Sequence, residues 1–239
     1  MFRSIVYSAF GAALAIGVCV SLLQAFTTTP LIVQAEAYEG GEAHEHAAVQ
    51  SIFSGWMAAY AHEGEVQEQS EGWSPDDGFG RLAYTVLANT VIGFAAALVL
   101  LGLMVAKGDP IDVKRGLLWG VAGFFAMALL PSLGLPPELP GTPAAELTAR
   151  QTWWLATATA SAGGIALAVF GRQWWMVAAG ACLILLPHLI GAPQPASHDV
   201  PYPGGLAGPF VVAVLVVSAA LWTLAGAASG WLYRRLTAG

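Results

Sequence analysis

Long apolar runs alternate with short polar segments along most of the chain, and this alternation predicts membrane-spanning helices. About 20 consecutive apolar residues cross the roughly 30 Å of hydrocarbon in a bilayer. The pattern predicts six spans, at residues 4–26, 83–106, 115–131, 152–170, 173–190 and 208–232. The predicted fold class is therefore an all-α polytopic membrane protein, with one transmembrane domain over residues 1–239.

The fourth and fifth predicted spans are separated only by Gly171, Arg172 and Gln173. A second interpretation is therefore open, in which they form one bent unit and the chain has five spans. The distribution of charge favours six. With both termini in the cytoplasm, 7 of the 9 basic residues lie on the inner side, as the positive-inside rule expects. The outer side then carries 13 of the 15 acids and is strongly negative.

The first span has some features of a secretory signal peptide. Arg3 precedes the apolar run, and Ala35-Glu36-Ala37 resembles a cleavage site. The hydrophobic region of a signal peptide covers roughly 7–15 residues, whereas this run covers about 22. We therefore expect a retained helix.

Residues 27–82 form the longest polar segment, and the topology places this segment on the outer side of the membrane. It is rich in acids and carries His44, His46 and His62. Neutral imidazole and carboxylate groups together suit divalent ions such as cobalt, nickel and zinc. These three histidines are the first candidate metal ligands. A solvated acidic loop that only happens to contain histidines is the alternative.

A proline- and glycine-rich segment, Pro131–Gly141, excludes a regular helix after the third span. It is apolar apart from Ser132 and Glu138. Irregular backbone at membrane depth is tolerated only where it is buried in protein or lines a cavity. We expect either a dipping segment whose Glu138 holds a cation, or a rigid outer turn with an exposed acid. Arg150 is expected to neutralise a nearby acid, either Glu138 or Glu146.

His188 is the last candidate metal ligand and lies near the outer end of the fifth span. An ionisable group at membrane depth is costly and is a functional hypothesis by default, although a hydrogen-bonded structural histidine is the alternative. The paired tryptophans Trp153–Trp154 and Trp174–Trp175 are typical of the interface belt. No Asp or Glu lies in the middle of a predicted span, and no nucleophile is paired with a base. We therefore expect no catalytic residue.

Several segments, taken together and in order, resemble the CbtA family of predicted cobalt transporter subunits. The segments that carry this resemblance span nearly the whole length and are Thr29–Ile32, Glu36–Glu39, Trp73–Gly78, Arg81, Arg115–Gly120, Gly134–Gly141, Arg150–Trp154 and Pro187–Pro195. Any single segment is weak evidence of the family, but the combined set is specific.

The resemblance implies a multi-pass protein of the bacterial inner membrane that takes up Co²⁺ in association with corrin metabolism. It implies Co²⁺ as substrate, with no permanently bound cofactor. It also implies a small single-span, histidine-bearing partner like CbtB. Membrane lipid is the other expected partner, no nucleic acid is expected, and a homo-oligomer stays open. The rival functions are a non-transporting metal-binding scaffold or sensor, transport of nickel or zinc, and, least favoured, a membrane enzyme.

Overall fold

The computed structural model describes residues 2–38, 78–108 and 110–238. Within these ranges the chain forms helices and no strands. The helices are α1 (Phe2–Phe26), α2 (Thr28–Glu36), α3 (Phe79–Lys107), α4 (Val113–Ser132), α5 (Leu147–Phe170), α6 (Trp174–Ile190) and α7 (Ala207–Thr237). The all-α prediction is confirmed, and a helix lies at each of the six predicted spans. His44, His46 and His62 lie outside the described residues.

Five of these helices are long and apolar enough to cross a membrane: α1, α3, α4, α5 and α7. α6 is also apolar, but its 17 residues reach only about 26 Å. A complete crossing by α6 therefore stays a prediction. α5 and α6 pack side by side, since a Cβ added to Gly164 or Gly180 would lie 2.5 Å from the other glycine's carbonyl oxygen. They form a hairpin and not one bent unit.

The centre of the bundle is built from α1, α3, α4 and α7. α1 packs along α3, α4 packs along α7, and α7 also contacts α1 and α3. Glycines bring the helix backbones together, which is typical of helix packing in membranes. A Cβ added to Gly226 of α7 would lie 2.0 Å from the carbonyl oxygen of Gly116 in α4. A Cβ added to Gly93 of α3 would lie 2.8 Å from the Ile16 side chain in α1.

One turn of π-helix, Phe125–Leu129, interrupts α4 just before Pro131. Proline has no N–H to donate, and its ring clashes with the carbonyl of the preceding turn, so the helix widens there. The Ser132 hydroxyl donates to the carbonyl oxygen of Ala128 at 2.6 Å. α5 contacts the rest of the bundle mainly through this π turn and the short segment after it. The irregular turn therefore fixes how the α5–α6 hairpin joins the bundle.

One end of the bundle is closed by α2 and by the loops at residues 133–146 and 191–206, which we call the outer cap. Its buried cluster contains Ile32, Ala35, Leu139, Tyr202 and Phe210. Hydropathy alone did not predict α2, because nine residues with a modest apolar face lie within a polar segment. The cap lies at the end that the charge distribution assigns to the outer side.

Candidate functional site

A cavity of about 420 Å³ lies under the outer cap, between α1, α2, α3, α4, α5 and α7. Hydrophobic side chains form most of its lining. Its polar lining consists of Gln24, Thr28, Asn89, Ser132, Glu138, Arg150, Gln151, Thr152 and Ser218. Pockets of this size, mostly apolar with a few converging polar groups, are typical of binding sites for small solutes.

The cap end of the cavity carries an ion pair between Glu138 and Arg150. The Arg150 Nη2 donates to the Glu138 Oε2 at 3.0 Å. Both side chains are about a quarter exposed, so the pair contributes no more than about 1 kcal/mol to stability. The proline-rich segment contributes residues 135–138 to the cavity lining, and the expected neutralisation of a nearby acid by Arg150 is confirmed. The role of Glu138 in holding a cation stays a prediction.

The two acids of the loop before α5 have different environments. Burial raises the pKa of Glu138 above its ordinary value, and the neighbouring Arg150 guanidinium opposes part of that increase. Glu146 is exposed and caps α5, because its carboxylate accepts hydrogen bonds from the backbone N–H groups of Thr148 and Ala149 at 2.8 and 2.6 Å. These two hydrogen bonds lower the pKa of Glu146. Glu138 therefore lines the cavity, whereas Glu146 starts a helix.

The deep end of the cavity meets a network of neutral polar side chains. The Asn89 Nδ2 donates to the Ser21 Oγ at 2.8 Å and to the Gln24 Oε1 at 2.6 Å. Asn89 is 1% exposed and lies about 15 Å along the helix axis from Phe79. Since both amide protons are used, the carbonyl oxygen is the hydrogen-bonding atom that Asn89 can still offer. The sequence held a signal for this network, because Gln24 and Asn89 are amides inside apolar spans.

His188 packs in a different place from Glu138. Its ring meets Trp153 edge-on, with ring centroids 5.7 Å apart and an interplanar angle of 70°. Its Nε2 is buried and makes no hydrogen bond with any described residue. His188 is not among the described residues that line the cavity. The structure thus does not bring the two predicted ligands into one cavity, and the ligand role of His188 stays a prediction.

The tryptophan pairs at the ends of the α5–α6 hairpin differ from each other. Trp174 and Trp175 are 82% and 51% exposed, which suits the interface belt. The belt interpretation is wrong for Trp153, which is 9% exposed and donates from its Nε1 to the Pro187 carbonyl oxygen at 3.2 Å. Trp154 lines the cavity. Trp153 therefore joins the two helices of the hairpin, and Trp154 contributes to the cavity wall.

A second ion pair, beside this cavity, joins the two described segments that flank residues 39–77. The Arg81 Nη2, at the start of α3, donates to the Glu36 Oε1, at the end of α2, at 3.1 Å. α2 also supplies Thr28 and Ile32 to the cavity and its rim. The two points where the chain leaves and rejoins the described structure around residues 39–77 are therefore held close to the outer cap.

The donor groups near the cavity do not form a closed metal centre in the part of the chain that the structure describes. No group of three or more His, Cys, Asp or Glu side chains there is placed to hold a metal ion. Among the described lining residues Glu138 is the carboxylate and Met127 supplies the sulfur atom. These two donors are fewer than the several ligands that hold a divalent transition-metal ion in a protein site.

The fold and the cavity define a polytopic α-helical membrane protein with a mainly apolar chamber, lined by a few polar groups, under one capped end. The chain belongs to the CbtA family, described as a probable cobalt transporter subunit, and the family model matches residues 2–234. This confirms the resemblance found in the sequence. Neither a curated protein nor a solved structure is similar enough to the chain to be matched. The family description indicates that the chain is one subunit of a transporter that has further subunits.

Proposed function

We propose that the chain carries Co²⁺ inward across the bacterial inner membrane, and that the ion leaves the outer solution through the cavity under the outer cap. The observation that supports this proposal most is the position of Glu138. Its carboxylate lies at the cap end of a chamber that reaches to Asn89, well inside the bundle. A carboxylate at the start of such a path attracts cations into it.

Capture begins at the acidic outer face. Its negative charge raises the local cation concentration through long-range attraction. The ion then exchanges some of its water ligands for the neutral imidazoles of His44, His46 and His62. The ion pair between Glu36 and Arg81 supports transfer from this loop, because it anchors both ends of the loop next to the cavity. In this proposal His188 is a further ligand at the outer end of α6.

The membrane potential supplies the energy for the inward step. A divalent cation gains roughly 4.6 kcal/mol per 100 mV on moving to a negative interior, twice the value for a single charge. No Asp or Glu occupies the middle of a predicted span. Transport driven by the potential therefore needs no intramembrane carboxylate as a proton relay.

Cobalt accumulation in cells tests this function. Cells that express the chain together with its single-span partner are expected to accumulate several times more cobalt than cells with an empty vector. Accumulation of nickel and zinc, measured in the same two cell lines, shows which of the three metals is the substrate. A scaffold or sensor would bind cobalt without raising its accumulation. Equal cobalt content in the two cell lines, with the protein present in the membrane, would exclude transport.

Removing the loop histidines is expected to weaken capture without blocking passage. Replacing His44, His46 and His62 with alanine should raise the Co²⁺ concentration that gives half-maximal uptake. The maximal rate should stay near the wild-type value, because the cavity is unchanged. Initial uptake rates over a range of Co²⁺ concentrations separate the two quantities. A lower maximal rate with an unchanged half-saturating concentration would contradict the assignment of capture to the loop and of passage to the cavity.

Uptake is expected to fall as the outer pH is lowered, with a midpoint above the usual range for glutamate. Burial raises the pKa of Glu138, and protonation removes the charge that attracts the cation. Because Arg150 lowers that pKa, the Arg150→Gln variant should shift the midpoint to higher pH. Initial rates in the triple-alanine background separate the effect of Glu138 from that of the three loop histidines. An identical midpoint pH in the wild type and in Arg150→Gln would exclude Glu138 as the titrating group.

A further inference from the structure

The cavity offers too few strong ligands to replace the water around a cobalt ion. Borderline divalent ions are held in proteins by several imidazole, thiolate or carboxylate groups. No histidine or cysteine is among the described residues that line the cavity, and Glu138 is the carboxylate among them. Its Oε2 already accepts a hydrogen bond from Arg150. A bare ion would therefore exchange six water ligands for a much weaker set.

The charges around the cavity lead to the same conclusion. The negative charge of Glu138 is balanced by the positive charge of Arg150, so the ionised side chains of the described lining sum to zero. Removing water from a small ion costs many kcal/mol unless opposite charge or strong ligands compensate. A lining without net charge gives little compensation. An ion that enters this cavity keeps its water more readily than it loses it.

The size of the cavity fits an ion with its water. Six water molecules occupy roughly 180 Å³ at their liquid volume, whereas the cavity has about 420 Å³. Water bound to a metal ion is a strong hydrogen-bond donor, so it needs acceptors around it. Thr28, Ser132 and Ser218 supply hydroxyl oxygens, and Asn89 retains its carbonyl oxygen after donating both amide protons.

We propose that the cavity accepts cobalt as the hydrated divalent cation, and that Glu138 and Asn89 recognise its water ligands instead of coordinating the metal. This inference rests on the proposed transport function, since it names the form in which the substrate occupies the same cavity. Recognition through water also accounts for a lining of neutral oxygens and hydrophobic walls around one carboxylate. The ion therefore takes water ligands back when it leaves the loop histidines for the cavity, and any final loss of water lies further along the path.

The test uses hexaamminecobalt(III), a complex whose six ammine ligands do not exchange. It presents an octahedron of N–H donors similar in size to hydrated Co²⁺, with one more positive charge, but a site that coordinates the metal directly cannot bind it. Equilibrium dialysis of the purified full-length protein in detergent measures this binding without any transport. We expect saturable binding that Co²⁺ displaces. We also expect the Kd to rise about tenfold in Asn89→Leu, which removes hydrogen bonds to a charged ligand.

Two sets of variants complete the test. Glu146→Gln alters an exposed acid of the same loop that is not among the lining residues, so its Kd should match the wild type. Thr28→Val and Ser132→Ala each remove a hydroxyl from the cavity lining, on α2 and α4. Their Kd values replace that of Asn89→Leu if the latter does not fold. Absence of binding overturns the inference. A wild-type Kd in all three variants, Asn89→Leu, Thr28→Val and Ser132→Ala, also overturns it, because the complex would then bind to the acidic loop and not in the cavity. Failure of transport with intact binding would instead overturn only the proposed function.

Discussion

Replacing Glu138 with glutamine is expected to lower the rate of cobalt uptake about tenfold or more. Glutamine has the same shape but no charge, so the cation loses a charge-assisted interaction of about 1.5–3 kcal/mol. The change also leaves the Arg150 guanidinium without its partner at 3.0 Å, and an uncompensated positive charge at the cap end repels cations. Initial rates of uptake, normalised to the amount of protein in the membrane, measure the effect.

The matched control for this substitution is Glu146→Gln. Glu146 lies in the same loop and is fully exposed at the first turn of α5, so its variant should transport cobalt at the wild-type rate. The double variant Glu138→Gln, Arg150→Gln removes both charges and should recover part of the lost uptake. Wild-type rates in Glu138→Gln would show that the path does not pass this carboxylate.

Replacing Gly226 with alanine is expected to prevent stable packing of α4 against α7. The added Cβ would lie 2.0 Å from the carbonyl oxygen of Gly116 and 3.0 Å from the backbone nitrogen of Gly120. These are backbone atoms, so they cannot move aside as the end of a side chain can. Overpacking of this kind typically costs about 1–3 kcal/mol, and the separation of two helices that define the bundle centre adds to it. Thermal unfolding in detergent and the yield of monodisperse protein measure the loss.

Gly102→Ala is the control for this effect. Gly102 is also a helical glycine, in α3, and a Cβ added there meets nothing within 4 Å. Alanine favours a helix by up to about 1 kcal/mol over glycine, so this variant should unfold at the same temperature as the wild type or slightly above it. Equal unfolding temperatures for Gly226→Ala and Gly102→Ala would refute the close α4–α7 contact.

The helices were predictable because hydropathy depends on local sequence. The predicted span 115–131 and the observed Val113–Ser132 agree within two residues at each end. The predicted span 152–170 begins five residues late, because α5 starts at the Glu146 cap, outside the apolar run. Hydropathy detects the stretch that contacts lipid, whereas capping residues decide where a helix begins.

The cavity was only partly predictable. Glu138 and Arg150 were identified because a charged residue stands out in an apolar segment, and proximity in sequence brought the two into contact. The position of Asn89 in the network was not predicted, because its hydrogen bonds are to Ser21 and Gln24, which lie on another helix. The π turn at Phe125–Leu129 contacts α5, which lies later in the chain, and this contact could not be read from the local sequence. Contacts between helices far apart in sequence do not follow from periodicity.

The measurement to make is cobalt uptake into proteoliposomes under an imposed potential. The purified chain, with any subunit that co-purifies, is reconstituted with the outer cap facing the external solution, and a potassium gradient with valinomycin makes the interior negative. We predict labelled Co²⁺ uptake that increases with the negative potential, disappears when the potential is reversed, and falls about tenfold in Glu138→Gln. Uptake that ignores the potential, or that does not exceed uptake into protein-free liposomes, would contradict inward carriage of Co²⁺ by this chain.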